Sequence, residues 1–240
     1  MTWSIVARDA SGAFGVAVAS RFFAVGVLCP HARAGVGAVA TQALVNPHYG
    51  PGALDLLAQG LEPAAIVRTL TDADDGRDQR QLHLIGARGS AAAFTGKACI
   101  DWCGSLQRDG FSVAGNMLAG PAVIEATAAA YEAGAVLPFA ERLMAAMEAG
   151  EAAGGDKRGK QAAALKIYTT EDYPFLDIRV DDHADPLPEL RRLYERSLER
   201  AQPFWACLPS RARPAGITDR ALIEAEIERF QAQRQAGARR

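Results

Sequence analysis

Residues 2–9 (TWSIVARD) and 13–20 (AFGVAVAS) flank the turn Asp9-Ala10-Ser11-Gly12, and no other feature constrains the chain as much. A short polar turn closed by glycine between two apolar runs is a hairpin signal. The second run is almost wholly small and apolar, which suits a strand covered on both faces.

Further strands are expected over 34–43, 81–87, 91–95, 111–118, 162–168 and 175–180. Helices are expected over 52–59, 63–70, 121–132, 138–149, 186–201 and 218–235. Pro63 and Pro121 sit where a helix starts, Gly60 and Gly150 where one stops. Hairpins first, helices in the middle, then strands and helices again make an α+β chain. Residues 1–202 read as one domain. Residues 203–240 read as a linker and helical tail with too little apolar surface to fold alone. Gly35, Gly37 and Ala40 match a dinucleotide fingerprint only loosely, because no helix opens after them. The acidic stretch 71–78 reads as a solvated turn.

The net charge of -2 gives no basic surplus for nucleic acid or an acidic membrane surface. No segment reaches the roughly 18 apolar residues of a membrane helix, and no signal-peptide pattern opens the chain. Cys29, Cys99, Cys103 and Cys207 show no common zinc or redox spacing, so free thiols in a reducing cytoplasm are expected. Asp181, Asp182, His183 and Asp185 invite a metal, but adjacent strand positions point to opposite faces. Neither a metal nor an organic cofactor is expected. Homodimerisation, if present, is expected through the leucine-bearing helix over 186–201.

The chemistry is expected at the start. A methionine before a small residue is normally removed, which would leave Thr2 with both a hydroxyl and a free α-amine. An α-amine of pKa roughly 7.7–8.0 is a competent base near neutrality, and a threonine with its own amine is an activated nucleophile. Arg21, at the end of the second strand, keeps its proton in proteins. Its expected role is therefore electrostatic: lowering the amine pKa and orienting Thr2. Asn116, near a strand-to-helix junction, is expected to stabilise an oxyanion. Gln42, Asn46 and Tyr49 in a turn-rich stretch, with Asp156 and Arg158 in the loop 154–161, are expected to contact a polar substrate. Ser4, Cys29 or Ser20 as nucleophile ranks last, for want of a histidine partner in the sequence.

Several words, in order, resemble the bacterial and archaeal family called domain of unknown function 1028. They are Thr2–Asp9, GVAVASRFFAVG (15–26), ARAGVGAVATQA (32–43), Asn46–Gly50, FTGKACIDW (94–102), GNMLAGP (115–121), AGGDKRGKQAAAL (153–165) and DIRVDDHADP (177–186). The resemblance covers about residues 2–200. It departs at Arg21 and Phe23, where the family wording has lysine and leucine. It implies the N-terminal-nucleophile (Ntn) hydrolase fold: a four-layer αββα sandwich of two antiparallel sheets, here with a C-terminal helical extension. The implied reaction is cleavage of a C–N amide bond (amide, lactam or carbamoyl type) in a small polar metabolite. The alternative is a catalytically silent binding or assembly module with Met1 retained.

Overall fold

The computed structural model describes residues 2–237. Its contacts divide the chain into a unit ending at Leu190 and a unit beginning at Arg191. The strands are β1 (Thr2–Arg8), β2 (Phe14–Ser20), β3 (Pro30–Arg33), β4 (Gly37–Ala43), β5 (Arg80–Gly86), β6 (Ala91–Thr95), β7 (Trp102–Arg108), β8 (Phe111–Leu118), β9 (Ala162–Tyr168) and β10 (Leu176–Val180). The helices are α1 (Val25–Leu28), α2 (Tyr49–Ala58), α3 (Pro63–Asp72), α4 (Pro121–Ala133), α5 (Phe139–Ala152), α6 (Pro186–Glu199), α7 (Ala201–Trp205) and α8 (Arg220–Gly237).

Two antiparallel sheets form, ordered β10-β9-β2-β1-β8-β7 and β3-β4-β5-β6. Side-chain alternation sorts each strand between two layers. In β1, Trp3 packs toward Gly150 of α5, whereas Val6 joins Ala38, Ala40 and Ile85 between the sheets. In β5, Leu82 and Leu84 pack with Leu54, Leu57 and Ile66 of α2 and α3. Helices α4 and α5 thus cover the outer face of the first sheet, and α2 and α3 that of the second. The result is an αββα sandwich with β1 in the middle of the larger sheet.

Two strands and one short helix escape the sequence pattern. The expected strand over 34–43 forms only from Gly37: residues 34–36, with Gly35 at φ +69, make a tight turn that joins it to β3, which the pattern did not announce. The left-handed backbone there is cheap only for glycine. Strand β7 is an edge strand with no buried residue and no apolar alternation. Helix α1 follows Ala24, itself left-handed at φ 52. Pro203 does not end the helix before it. The break falls at Arg200, and Pro203 lies in the first turn of α7, where a missing N–H does no harm.

The second unit is held by Arg200 paired with Glu224, Arg234 with Glu195, and Gln231 Nε2 donating to Leu198 O at 2.7 Å. The division falls at 190/191, inside α6, rather than at the expected 202/203. No helix among the described residues is long and apolar enough to cross a membrane.

Close approach of α5 to the first sheet depends on Gly150. A Cβ there would stand 2.3 Å from Thr127 Oγ1 and 2.8 Å from Trp3 Nε1, both on fully buried side chains. Gly150→Ala gains about 1 kcal/mol of helix propensity, but overpacking costs about 1–3 kcal/mol. We expect a net loss of about 1 kcal/mol, read as a lower urea midpoint with an unchanged slope. A higher midpoint would show that the α5–sheet contact can relax.

Candidate active site

Thr2 stands at the head of β1, paired with Ser20 of β2 on one side and Asn116 of β8 on the other. The β1–β2 hairpin register dictates the first pair. Paired residues share a face, so all three side chains point between the sheets. Thr2 Oγ1 lies 3.0 Å from Ser20 Oγ. Thr2 is 6% exposed and Ser20 wholly buried, and of the two only Thr2 lines the neighbouring cavity. Met1, on whose removal the amine depends, lies outside the described residues.

Thr2 lines a cavity of about 150 Å³. Its walls are Phe22, Ala24, Val25, Leu28, Ala43, Leu44 and Val45, with Cys29, Thr41 and Gln42 as the other polar groups. Each of these three spends its hydrogens inward. The Cys29 thiol donates to Gln42 Oε1 at 3.6 Å, and the Thr41 hydroxyl to Asn46 O at 3.1 Å. Gln42 Nε2 donates to Gln81 Oε1 at 2.8 Å and Ala114 O at 3.2 Å. Burial pushes the Cys29 thiol up to about 12, so it stays protonated and unreactive.

Behind the cavity a hydrogen-bonded chain crosses the interior. Asn116 Nδ2 donates to Gln81 Oε1 at 3.0 Å and to Thr2 O at 3.4 Å. Gln81 Nε2 donates to Gly115 O at 2.8 Å and Thr95 Oγ1 at 2.9 Å. Ser4 Oγ donates to Gln42 Oε1 at 2.7 Å and lies 2.8 Å from His83 Nε2. His83 Nδ1 lies 3.0 Å from Ser112 Oγ. Ser4 therefore has the histidine neighbour that the sequence did not reveal. The network nonetheless assigns the proton the wrong way for catalysis. Ser4 gives its hydrogen to Gln42 Oε1 and so has none to pass to His83 Nε2. Both residues are fully buried, and neither lines the Thr2 cavity.

The expected ring of polar contacts does not form around Thr2. Asn46 and Tyr49 turn to Asp74, whose Oδ2 accepts from Asn46 Nδ2 (3.0 Å), Tyr49 OH (2.8 Å) and Arg80 Nε (3.2 Å). The Tyr49 hydrogen bond, with those of its neighbours, holds the Asp74 carboxyl well below the usual range. Burial, then Asp74, pushes the Tyr49 phenol up. This cluster braces the segment 43–48 that walls the cavity; the acidic turn is an anchor rather than a solvated loop.

Asp156, expected to meet substrate, has a fully buried side chain. It accepts from the backbone N–H of Arg21 (2.9 Å) and of Arg158 (2.8 Å) and pairs with the Arg158 guanidinium. It fastens the loop 154–161 to the end of β2. Arg21 itself is exposed and lies outside the cavity lining. Asn116 was expected to face an oxyanion, but its two N–H groups are committed to Thr2 O and Gln81, which makes it a positioning group. It opens instead on a second cavity, of about 200 Å³, across Ala43 and Leu44.

Sequence reasoning missed Ser20 as a partner of Thr2, and it missed Gln81, His83, Ser112 and Asp74 altogether. The hairpin register could have found the first. The alternation Gln81, His83, Ile85 against Leu82, Leu84 marks the next two as sharing a face, though not as buried.

A model of the "Family of unknown function (DUF1028)" matches residues 2–190. The crystal structure of protein SPO2555 from Silicibacter pomeroyi, assigned to DUF1028, is 33% identical and superposes with a TM-score of 0.84. That match covers 91% of this chain and 99% of the other. Anbu (ancestral beta-subunit) from Yersinia bercovieri is 16% identical over 87% of this chain and 98% of its own, with a TM-score of 0.35, too low to bear on the fold. A search of curated proteins returns no match.

Proposed function

We propose that this chain, which belongs to the DUF1028 family, is an Ntn hydrolase that cleaves a C–N amide bond in a small molecule, with Thr2 as nucleophile. The observation that carries this reading is Thr2 Oγ1 at the head of the central strand, on the rim of a cavity, beside the Ser20 hydroxyl. Once Met1 is gone, Thr2 Oγ attacks the amide carbonyl and its α-amine takes the hydroxyl proton. The C–N bond breaks as that proton passes to the leaving nitrogen. A water then attacks the Thr2 ester, giving its proton to the amine, which returns it to Thr2 Oγ as the C–O bond breaks and the acid is released.

In this reading the groups around Thr2 position it. Asn116 holds the Thr2 carbonyl from β8 and Ser20 holds its hydroxyl from β2. Arg21 acts on the amine through its charge and touches no substrate.

The direct test is the intact mass of untagged protein, with its N-terminal peptide sequenced, followed by an amide and lactam screen. A chain beginning at Thr2 that turns over an amide supports the reading. A chain that keeps Met1 has an amide nitrogen where the base must be, and that result would overturn it in favour of a binding module.

A further inference from the structure

We propose that the cavity beside Thr2 is an acyl pocket selective for a short, uncharged, apolar acyl group of up to about six carbon atoms. The inference rests on Thr2 as nucleophile and names the substrate class for that site. It narrows the polar metabolite expected from sequence to one whose acyl side is apolar.

Three observations carry it. The walls are Phe22, Ala24, Val25, Leu28, Leu44 and Val45, and no charged side chain among the described residues lines the cavity. The other polar liners, Cys29, Thr41 and Gln42, point their hydrogens into the protein, so among the described lining side chains Thr2 alone keeps a hydroxyl for an entering ligand. The volume is about 150 Å³, enough for a benzene-sized guest, and the cavity opens to solvent past the exposed side chains of Phe22, Leu28 and Leu44. A carboxylate or ammonium placed against these walls would give up part of its hydration and meet no opposite charge in return.

The pocket holds the acyl rather than the amine side for a covalent reason. The acyl group stays esterified to Thr2 Oγ until water releases it, so it must occupy the space that Thr2 itself borders. The second cavity carries Asn116 and Gln79 but not Thr2.

The test uses protein that begins at Thr2 and a series of 4-nitrophenyl esters: acetyl, butyryl, hexanoyl, decanoyl and hemisuccinyl. Nitrophenol release and the acyl mass on the N-terminal peptide are both read. We expect kcat/KM to rise about fourfold per methylene to hexanoyl and to fall at decanoyl. Hemisuccinyl should trail butyryl by at least about 100-fold. Leu28→Lys, at a partly exposed position, should narrow that gap, and Val25→Phe should fill the pocket and abolish the chain-length gradient.

A second readout needs no chemistry. Thr2→Ala protein is titrated with hexanamide and with succinamate, following the methyl NMR signals of Val25 and Leu28. Hexanamide shifting these methyls, with succinamate silent, supports the pocket even if no ester acylates Thr2; in that case the hydrolase reading alone falls. Silence with hexanamide, or hemisuccinyl acylating Thr2 as fast as butyryl, overturns the pocket and leaves the nucleophile standing.

Discussion

Thr2→Ala should lower turnover of any amide substrate by about 10⁴-fold or more, the scale seen when a hydrolase loses its nucleophile, and should leave the fold intact. The structural cost is small. The variant loses a hydrogen bond to Ser20 worth about 1 kcal/mol and a methyl group at a position 6% exposed. Thr2→Ser keeps hydroxyl and amine together and should retain turnover. Ser20→Ala removes only a positioning contact and should cost about tenfold, the equivalent of one hydrogen bond. The set is measured as kcat/KM on a substrate from the amide screen, with thermal midpoints in parallel. Full turnover by folded Thr2→Ala would remove Thr2 from the chemistry.

The layered fold was legible because local signals carry it. The hairpin at 2–20, the proline starts of α3 and α4 and the apolar runs of β8 and β9 each announce themselves within a dozen residues. The site was legible only where it shares that locality. Thr2 is visible from its position in the chain, and Ser20 follows from the hairpin register. Asn116 reaches Thr2 through the β1–β8 pairing, and that register is set by packing across more than 100 residues.

The deeper failure concerns polarity. In β5, leucines alternate with Gln81 and His83, and such alternation ordinarily means a solvated polar face. Here both faces are buried: the leucines meet α2 and α3, and the polar face meets Ser4, Ser112 and Asn116 between the sheets. The same inversion governs Asp74 and Asp156. Both look like loop carboxylates in the sequence, and both hold backbone or side-chain donors around the site. With these polar groups committed to one another, the cavity at Thr2 is left apolar. Of the expected polar contacts only Gln42 reaches this cavity, with its amide hydrogens already spent; Asn46, Tyr49, Asp156 and Arg158 do not line it.

The buried network also predicts acid sensitivity. Burial holds the His83 imidazole down at about 3, against 6.5 for the unperturbed side chain. Its ring partners are the Ser4 and Ser112 hydroxyls, and neither offsets the cost of a buried positive charge. The sign follows from proton counting. Between about pH 6.5 and pH 3 the unfolded chain binds a proton at this histidine and the folded chain does not. The unfolding free energy therefore falls as pH falls, by up to about 1.4 kcal/mol per pH unit. From pH 7 to pH 5, mostly above the carboxylate range, His83 should remove about 2 kcal/mol. His31, lowered mainly by burial, adds a contribution of the same sign. Urea unfolding at pH 7, 6 and 5 measures the slope. His83→Gln keeps one donor and one acceptor without a titrating ring, and should flatten the slope to the part due to His31. An unchanged slope in that variant would mean that His83 titrates in the folded protein near its ordinary value, and that the chain from Asn116 to Ser112 does not hold it neutral.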